Sequence, residues 1–161
     1  MRDLVLRKAV YADIDLLYLW ANDKDVRYNS FSPGTISEEE HKAWFERVMN
    51  DPNEIQYIMI KDSLPIGQIR LTVHGQSAEI DYSISNKYRN KGYGKEMLRL
   101  VKDKIMGDRP DIKKLTAKVK PDNESSYACF LSGNFVEKYR CFEYMLVANE
   151  GGEAEKRQET L

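Results

Sequence analysis

The stretch from Ile80 to Lys95, IDYSISNKYRNKGYGK, decides how this chain is read. Its first part alternates. Ile80, Tyr82 and Ile84 stand against Glu79, Asp81 and Ser83, the two-residue period of a strand with one buried face. A polar loop follows, Ser85 to Lys91, carrying Lys87, Arg89 and Lys91. Gly92-Tyr93-Gly94 then opens a run in which Met97, Leu98, Val101 and Ile105 fall at helical spacing. A helix N-terminus presents unpaired N–H groups and the positive end of a dipole. Glycine lets another group come close to that backbone. Strand, loop and helix start together make an anion cradle suited to a pyrophosphate.

Two well-known phosphate motifs are excluded. A Walker loop needs GxxxxGK[ST], which is absent, and a dinucleotide fingerprint needs GxGxxG, where Met97 stands at the third glycine position. What remains is Arg89-x-x-Gly92-x-Gly94 behind an alternating strand. This resembles the acyl-CoA-binding signature [QR]xxGx[GA] of the GCN5-related N-acetyltransferase (GNAT) superfamily. A second segment agrees with it. Val119-Lys120-Pro121-Asp122-Asn123, followed by Ser126, Phe130 and Gly133-Asn134-Phe135, is similar to the family's "N…A…Y…GF" stretch. Asn134 replaces the family's usual glycine, and asparagine is the best non-glycine residue for a left-handed cap.

The order of elements supports the resemblance over about residues 2 to 147. The pattern predicts strand Leu4–Val10, helices Asp13–Asn22 and Ser37–Met49, then strands Gln56–Lys61, Ile66–Val73 and Ser77–Ile84. Helix Gly92–Gly107, strand Lys114–Lys120, helix Asn123–Leu131 and closing strands near Phe135–Tyr139 and Phe142–Val147 complete it. Ser37 with Glu40 reads as a capping box, and Asp51-Pro52-Asn53 ends that helix. Leu64-Pro65-Ile66-Gly67 and Val73-His74-Gly75-Gln76 read as hairpin turns. The fold class is therefore α/β (α+β). The resemblance implies a mixed, mostly antiparallel sheet of about seven strands, helices on both faces, and a splay between strands 4 and 5. One domain is expected over 1–149, with a charged flexible tail over 150–161.

Composition excludes several classes. The chain has 161 residues and a net charge of −1, which gives no field for nucleic acid or an anionic membrane. No apolar run is long enough to span a bilayer, and no signal-peptide pattern is seen. The 2 cysteines, Cys129 and Cys141, and the 2 histidines have no metal-ligand spacing. A cytoplasmic protein without a metal, acting as monomer or homodimer, is expected.

The resemblance implies acetyl-CoA as donor and a primary amine as acceptor, joined by direct attack. Such an enzyme must hold the thioester, stabilise the oxyanion, strip a proton from the ammonium and protonate the leaving thiolate. It assigns the pantetheine to the backbone of Tyr82, Ser83 and Ile84, with the N–H of Tyr82 or Ser83 as oxyanion donor. Pyrophosphate falls to the amides of Asn90, Lys91, Gly92, Tyr93, Gly94 and Lys95, with charge from Arg89 and Lys91. Asn123, Ser126 and Phe130 complete the cofactor wall. Each has a plainer reading. Arg89 and Lys91 can be solvated charges, Tyr82 a core residue, and Asn123 a helix N-cap.

Proton transfer departs from the family pattern. The glutamate that many relatives carry five residues before the motif asparagine is Lys118 here, and the tyrosine seven residues after it is Phe130. Glu79 and Asp81, on the polar face of the strand, are the candidate bases, directly or through a water. Tyr127, Ser126 and Tyr82 are the candidate acids. A non-catalytic acyl-CoA-binding module is the alternative suggested by Lys118 and Phe130.

The acceptor is set by the N-terminal third. The run WANDKDVRYNSF, Trp20 to Phe31, with Ile36-Ser37, His41 and Trp44-Phe45, is similar to GNAT enzymes that acetylate nucleotide-linked amino sugars. It is similar more loosely to ribosomal-protein N-terminal acetyltransferases. Arg27, Asn29, Ser30, Phe31 and His41 are the candidate acceptor-binding residues. Trp20, Trp44, Phe45 and His41 can equally be packing residues of two helices on the sheet.

Overall fold

The computed structural model describes residues 4–146. The five strands among them are β1 (Leu4–Lys8), β2 (Glu54–Lys61), β3 (Leu64–His74), β4 (Ser77–Ile84) and β5 (Lys114–Ala117), laid side by side in chain order. The first four are antiparallel, and β5 joins β4 in parallel after a helical crossover. The helices are α1 (Ile14–Ala21), α2 (Lys24–Asn29), α3 (Glu38–Asn50), α4 (Tyr93–Asp108) and α5 (Glu124–Ser132).

Strand β2 shows why the sheet needs helices on both faces. Tyr57 and Met59 point into one core with Met97, Leu98, Val101 and Ile105 of α4. Ile58, between them, points into a second core with Leu17 and Trp20 of α1 and Phe45 of α3. A strand buried on both faces reads as a continuous apolar run, as IMI does here. The α3 start is a capping box, Ser37 Oγ accepting from Glu40 N at 3.2 Å and Glu40 accepting from Ser37 N at 2.8 Å.

Three expectations are corrected. The sheet has five strands among the described residues, not about seven. Alternation specifies a strand's two faces but not the edge it pairs with, and a strand exists only where a partner completes its ladder. After α5 the chain turns at Asn134, φ 62°, the left-handed cap expected there. Phe135 then folds back edge-on to Phe130, ring centroids 5.0 Å apart. Residues 136–146 make no ladder, and Phe142 and Leu146 are 90% and 91% exposed. Val147, the end of the last expected strand, and the tail 150–161 lie outside the described residues.

The first hairpin turn sits at Asp62 and Ser63, both with positive φ (48° and 66°), and not at Leu64–Gly67. Those angles are the ones a two-residue hairpin of right-handed twist requires. Pro65 is inside β3, beside a register shift at Met59/Ile60, where the sheet tolerates its missing N–H. Finally, residues 24–29 form a helix, α2, where no regular element is expected. Asp23 caps it by accepting from Asp25 N and Val26 N.

Candidate functional site

Strand β5 leaves β4 halfway. The parallel ladder runs from Ser77–Lys114 to Ile80–Ala117 and stops, while β4 continues to Ile84 paired with β3 alone. Past Ile80, one backbone edge of β4 therefore faces a gap. Tyr82, Ser83 and Ile84, the expected pantetheine strand, border a cleft of about 1030 Å³ that runs between this edge, the start of α4, the start of α5 and the 25–36 segment. That volume is ample for a cofactor arm and a small acceptor.

The cradle is built by backbone angles. Asn90 has φ 59° and Gly92 φ 83°, so the chain turns left-handed twice before α4 begins at Tyr93. Gly92 has no side chain to strain there. At Gly94 a β-carbon would stand 3.2 Å from Cys129 Sγ and 3.4 Å from the Tyr82 ring. Neither glycine puts a side chain between the first turn of α4 and the cleft. Asn90, Gly92, Tyr93 and Gly94 line it, while Lys91 and Lys95 do not.

The cations of the loop are otherwise employed. Arg89 lines the cleft, but its guanidinium donates to Asp23 at 2.8 Å, to Asp25 at 2.7 Å and through Nε to the Ile84 carbonyl at 2.9 Å. It ties the 85–91 loop to the cap of α2. Lys91 donates to the Lys87 carbonyl at 3.0 Å and lies over the Tyr88 ring. What this loop offers an anion is backbone N–H groups and the α4 dipole, the Arg89 and Lys91 charges being engaged within the protein.

On the α5 side, Asn123 is the N-cap, accepting from Ser126 N at 3.2 Å, and it also lines the cleft. Ser126 Oγ donates to Tyr82 Oη at 3.3 Å. Phe130 is buried, its ring edge-on to Tyr82 at 5.7 Å. Burial pushes the Tyr82 phenol far above the usual range, against a lowering contribution from the Ser126 hydrogen bond. Tyr127 turns away. It is 43% exposed, donates to Glu137 at 3.1 Å and does not line the cleft.

At the far end, Glu79 and Asp81 line the cleft, each facing a cation. Glu79 lies 3.2 Å from Lys118, and Asp81 accepts from Arg70 at 3.2 Å. Arg70 also stacks on Trp44, 5.4 Å from the ring centre. Of the expected acceptor residues, Arg27, Asn29, Ser30, Phe31 and His41 all border the cleft. Two of them are committed to the fold. His41 is 2% exposed and its Nε2 donates to the Ile14 carbonyl at 2.8 Å, so that side chain is a packing residue. Arg27 donates to the carbonyls of Ala21 at 2.6 Å and Ser32 at 3.1 Å, fastening the 30–36 loop to α1. Phe31, 63% exposed, stands at the rim.

Sequence reasoning missed Gln68, Arg70 and Cys129, which line the same cleft. Gln68 links Gln56 (2.7 Å) to the Ser83 hydroxyl (3.3 Å) across the sheet. Polar residues inside apolar strands were the signal for Gln68 and Arg70. Nothing local marks Cys129.

A glycine-built anion cradle beside a strand edge bared by a departing parallel neighbour is a specific arrangement. The family model described as "Acetyltransferase (GNAT) domain" matches residues 3–135. The chain belongs to this family. A curated relative of the GNAT domain, the uncharacterized N-acetyltransferase YfmK of Bacillus subtilis (strain 168), is 26% identical over 126 residues, covering 76% of this chain and 78% of the relative. The spermidine N-acetyltransferase of Vibrio cholerae, solved with CoA and spermine, has TM-score 0.81 at 18% identity, over 92% of this chain and 89% of that one. The aminoglycoside acetyltransferase AAC(6')-Ib with coenzyme A has TM-score 0.74 at 19% identity, over 84% and 85%. RimL, a ribosomal L7/L12 alpha-N-protein acetyltransferase with coenzyme A, has TM-score 0.73 at 18% identity, over 84% and 81%. At these identities the structural likeness speaks for the fold.

Proposed function

We propose that this GNAT domain moves an acetyl group from acetyl-CoA to a primary amine on a small polar molecule, such as a nucleotide-linked amino sugar. The observation that carries the reading is the continuity of one cleft. It runs from the amides at Gly92–Gly94, along the unpaired β4 edge, to a chamber walled by Trp20, Trp44 and Phe31. The cofactor fits these residues. Left-handed turns at Asn90 and Gly92, and a glycine at 94 where a β-carbon would be tight, suit the start of α4 to a phosphate, and β4 offers backbone groups that a pantetheine amide can pair with. Acetyl-CoA supplies the activated acyl group.

The residues of the chain then act as follows. The α4 amides hold the diphosphate. The backbone at Tyr82 and Ser83 orients the arm and stabilises negative charge on the carbonyl oxygen. Glu79 or Asp81 accepts the proton that the incoming ammonium must lose, directly or through a water. Indole faces suit the apolar side of a sugar or base. Positioning in the cleft supplies much of the remaining rate.

The test is thermal melting with acetyl-CoA, followed by an amine panel with thiol detection. At a ligand concentration 100 times Kd, binding stabilises by about 2.7 kcal/mol, which for a chain of this size raises Tm by about 5–10 °C. Gly94→Leu should lose that shift, with the melting temperature of the free variant checking that its fold is intact. If it binds normally, the cradle assignment is wrong. Tight acetyl-CoA binding with no turnover across a broad panel of amines would favour a non-catalytic acyl-CoA-binding module, in which Lys118 and Phe130 stand where many relatives have acid–base residues.

A further inference from the structure

Resting on the acetyltransferase reading of the cleft, we propose that the acceptor amine carries an oxyanion, phosphate or carboxylate, and that Arg70 binds it. Arg70 sits on β3 between Ile69 and Leu71, both fully buried. Its side chain leaves the sheet on the face that also carries Gln68 and, on β4, Asp81 and Ser83. In register it stands across from Asp81, one residue before the β4 backbone assigned to the acyl group. The side chain is only 22% exposed, and it lines the cleft. Yet most of its N–H groups are unspent. Among the described residues it makes one hydrogen bond, to Asp81 at 3.2 Å, which is long for a charged pair. Arginines that fasten this fold behave differently. Arg7 grips Asp13 with two bonds of 2.8 Å, and Arg109 grips Asp111 at 2.9 and 2.8 Å. Trp44 seats the Arg70 guanidinium, 5.4 Å from the ring centre, and leaves its N–H edge for a partner.

The carboxylates along the cleft are already answered. Asp25 accepts from Arg89 at 2.7 Å, Glu79 lies 3.2 Å from Lys118, Asp81 meets Arg70, and Glu40 accepts from the Ser37 amide at 2.8 Å. A polycation would find no uncompensated acid for its several charges. An acceptor with one ammonium and one oxyanion fits instead. Its ammonium goes toward Glu79 and Asp81, and its oxyanion goes to the fork of Arg70. That planar fork matches a carboxylate or phosphate with two parallel hydrogen bonds. The Asp81 side chain is 66% exposed, so an incoming anion shares the guanidinium with a wet partner and breaks no buried pair. Arg70 is thus a specificity-determining residue, selecting zwitterionic or phosphorylated amines over neutral and polycationic ones.

The experiment compares amines with and without the anion: glucosamine 1-phosphate against glucosamine, and β-alanine against β-alaninamide, with spermidine as the polycation. Calorimetry first establishes that wild type binds CoA. Binding of each amine to the CoA complex is then measured, together with kcat/KM where acetyl-CoA is turned over. The anionic member of at least one pair should be favoured about 10- to 150-fold, the scale of a hydrogen bond to a charged group. The pair that shows the preference tells phosphate from carboxylate. Arg70→Gln should erase it, chiefly through KM, and Arg70→Lys should keep part of it. Effects passing through Asp81 act on both members of a pair, so the ratio within the pair isolates the anion contact. A cooperative melting transition checks that each variant is folded. No preference for the anionic member in either pair overturns the inference, as does a preference for spermidine. A preference that survives in Arg70→Gln overturns the assignment to Arg70. If wild type binds no CoA at all, the cofactor reading fails and this inference falls with it. If CoA binds and only the anion preference is missing, this inference alone fails.

Discussion

Arg89 separates two accounts of the loop before α4. The motif resemblance gives it to pyrophosphate, whereas the structure ties it to Asp23, Asp25 and the Ile84 carbonyl. Arg89→Met removes the guanidinium and keeps an apolar stem. The Asp23 pair is mostly enclosed, with side-chain exposures of 24% for Arg89 and 18% for Asp23, so losing it costs about 1.5–3 kcal/mol. Asp25 is 60% exposed and adds only about 0–1 kcal/mol. The Ile84 carbonyl adds about 0.5–1.5 kcal/mol where water does not replace the donor. These are not additive, and about 3 kcal/mol is expected in denaturant unfolding, or about 6–12 °C in Tm. CoA affinity by calorimetry should fall only a few-fold. A double-mutant cycle with Asp23→Asn should return a coupling of about 1–2 kcal/mol.

The pH sign is fixed by Asp23. Burial raises its carboxyl, but Arg89 and the α2 amides outweigh this and hold it below the ordinary 3.8. Its contribution is thus complete above that value and is lost as pH falls through the lower folded pKa. The gap between wild type and Arg89→Met should narrow only below about pH 4. A variant with unchanged stability and CoA binding weakened tenfold or more would refute the strut and restore Arg89 as a phosphate ligand.

Gly67→Ala should destabilise by about 2–3 kcal/mol, because its β-carbon would meet the Ser83 carbonyl oxygen at 2.7 Å inside the β3–β4 ladder. Wild-type stability in denaturant would mean the strands are farther apart. Asp13→Asn should cost about 2 kcal/mol at neutral pH, discounted because Arg7 is 40% exposed. The Arg7 hydrogen bond outweighs burial in holding the Asp13 carboxyl below its usual range, so this difference too should vanish only in acid, below about pH 4. Flat pH dependence between pH 2 and 7 would contradict it. Glu79→Gln or Asp81→Asn, whichever removes the base, should lower kcat about 10²–10⁴-fold with acetyl-CoA binding intact. If both variants keep wild-type kcat against a confirmed acceptor, proton removal is left to solvent.

The sequence by itself determined what local chemistry determines. Alternation at Ile80, Tyr82 and Ile84 placed β4, the glycines at 92 and 94 placed the start of α4, and Ser37 with Glu40 placed the start of α3. The left-handed cap at Asn134 was also legible, because it depends on one residue's backbone preference. Tertiary structure decided everything that depends on a distant partner. Arg89 looks the same in sequence whether it meets a phosphate or Asp23, 66 residues away. Tyr82, Ser126, Cys129 and Gly94 come from three elements, and only packing α4 and α5 beside β4 brings them to one point. The residues after Phe135 alternate like strands, yet pairing is a property of two edges and not of one segment. Local preference is written residue by residue. A site is a set of long-range distances, and no spacing along the chain contains them.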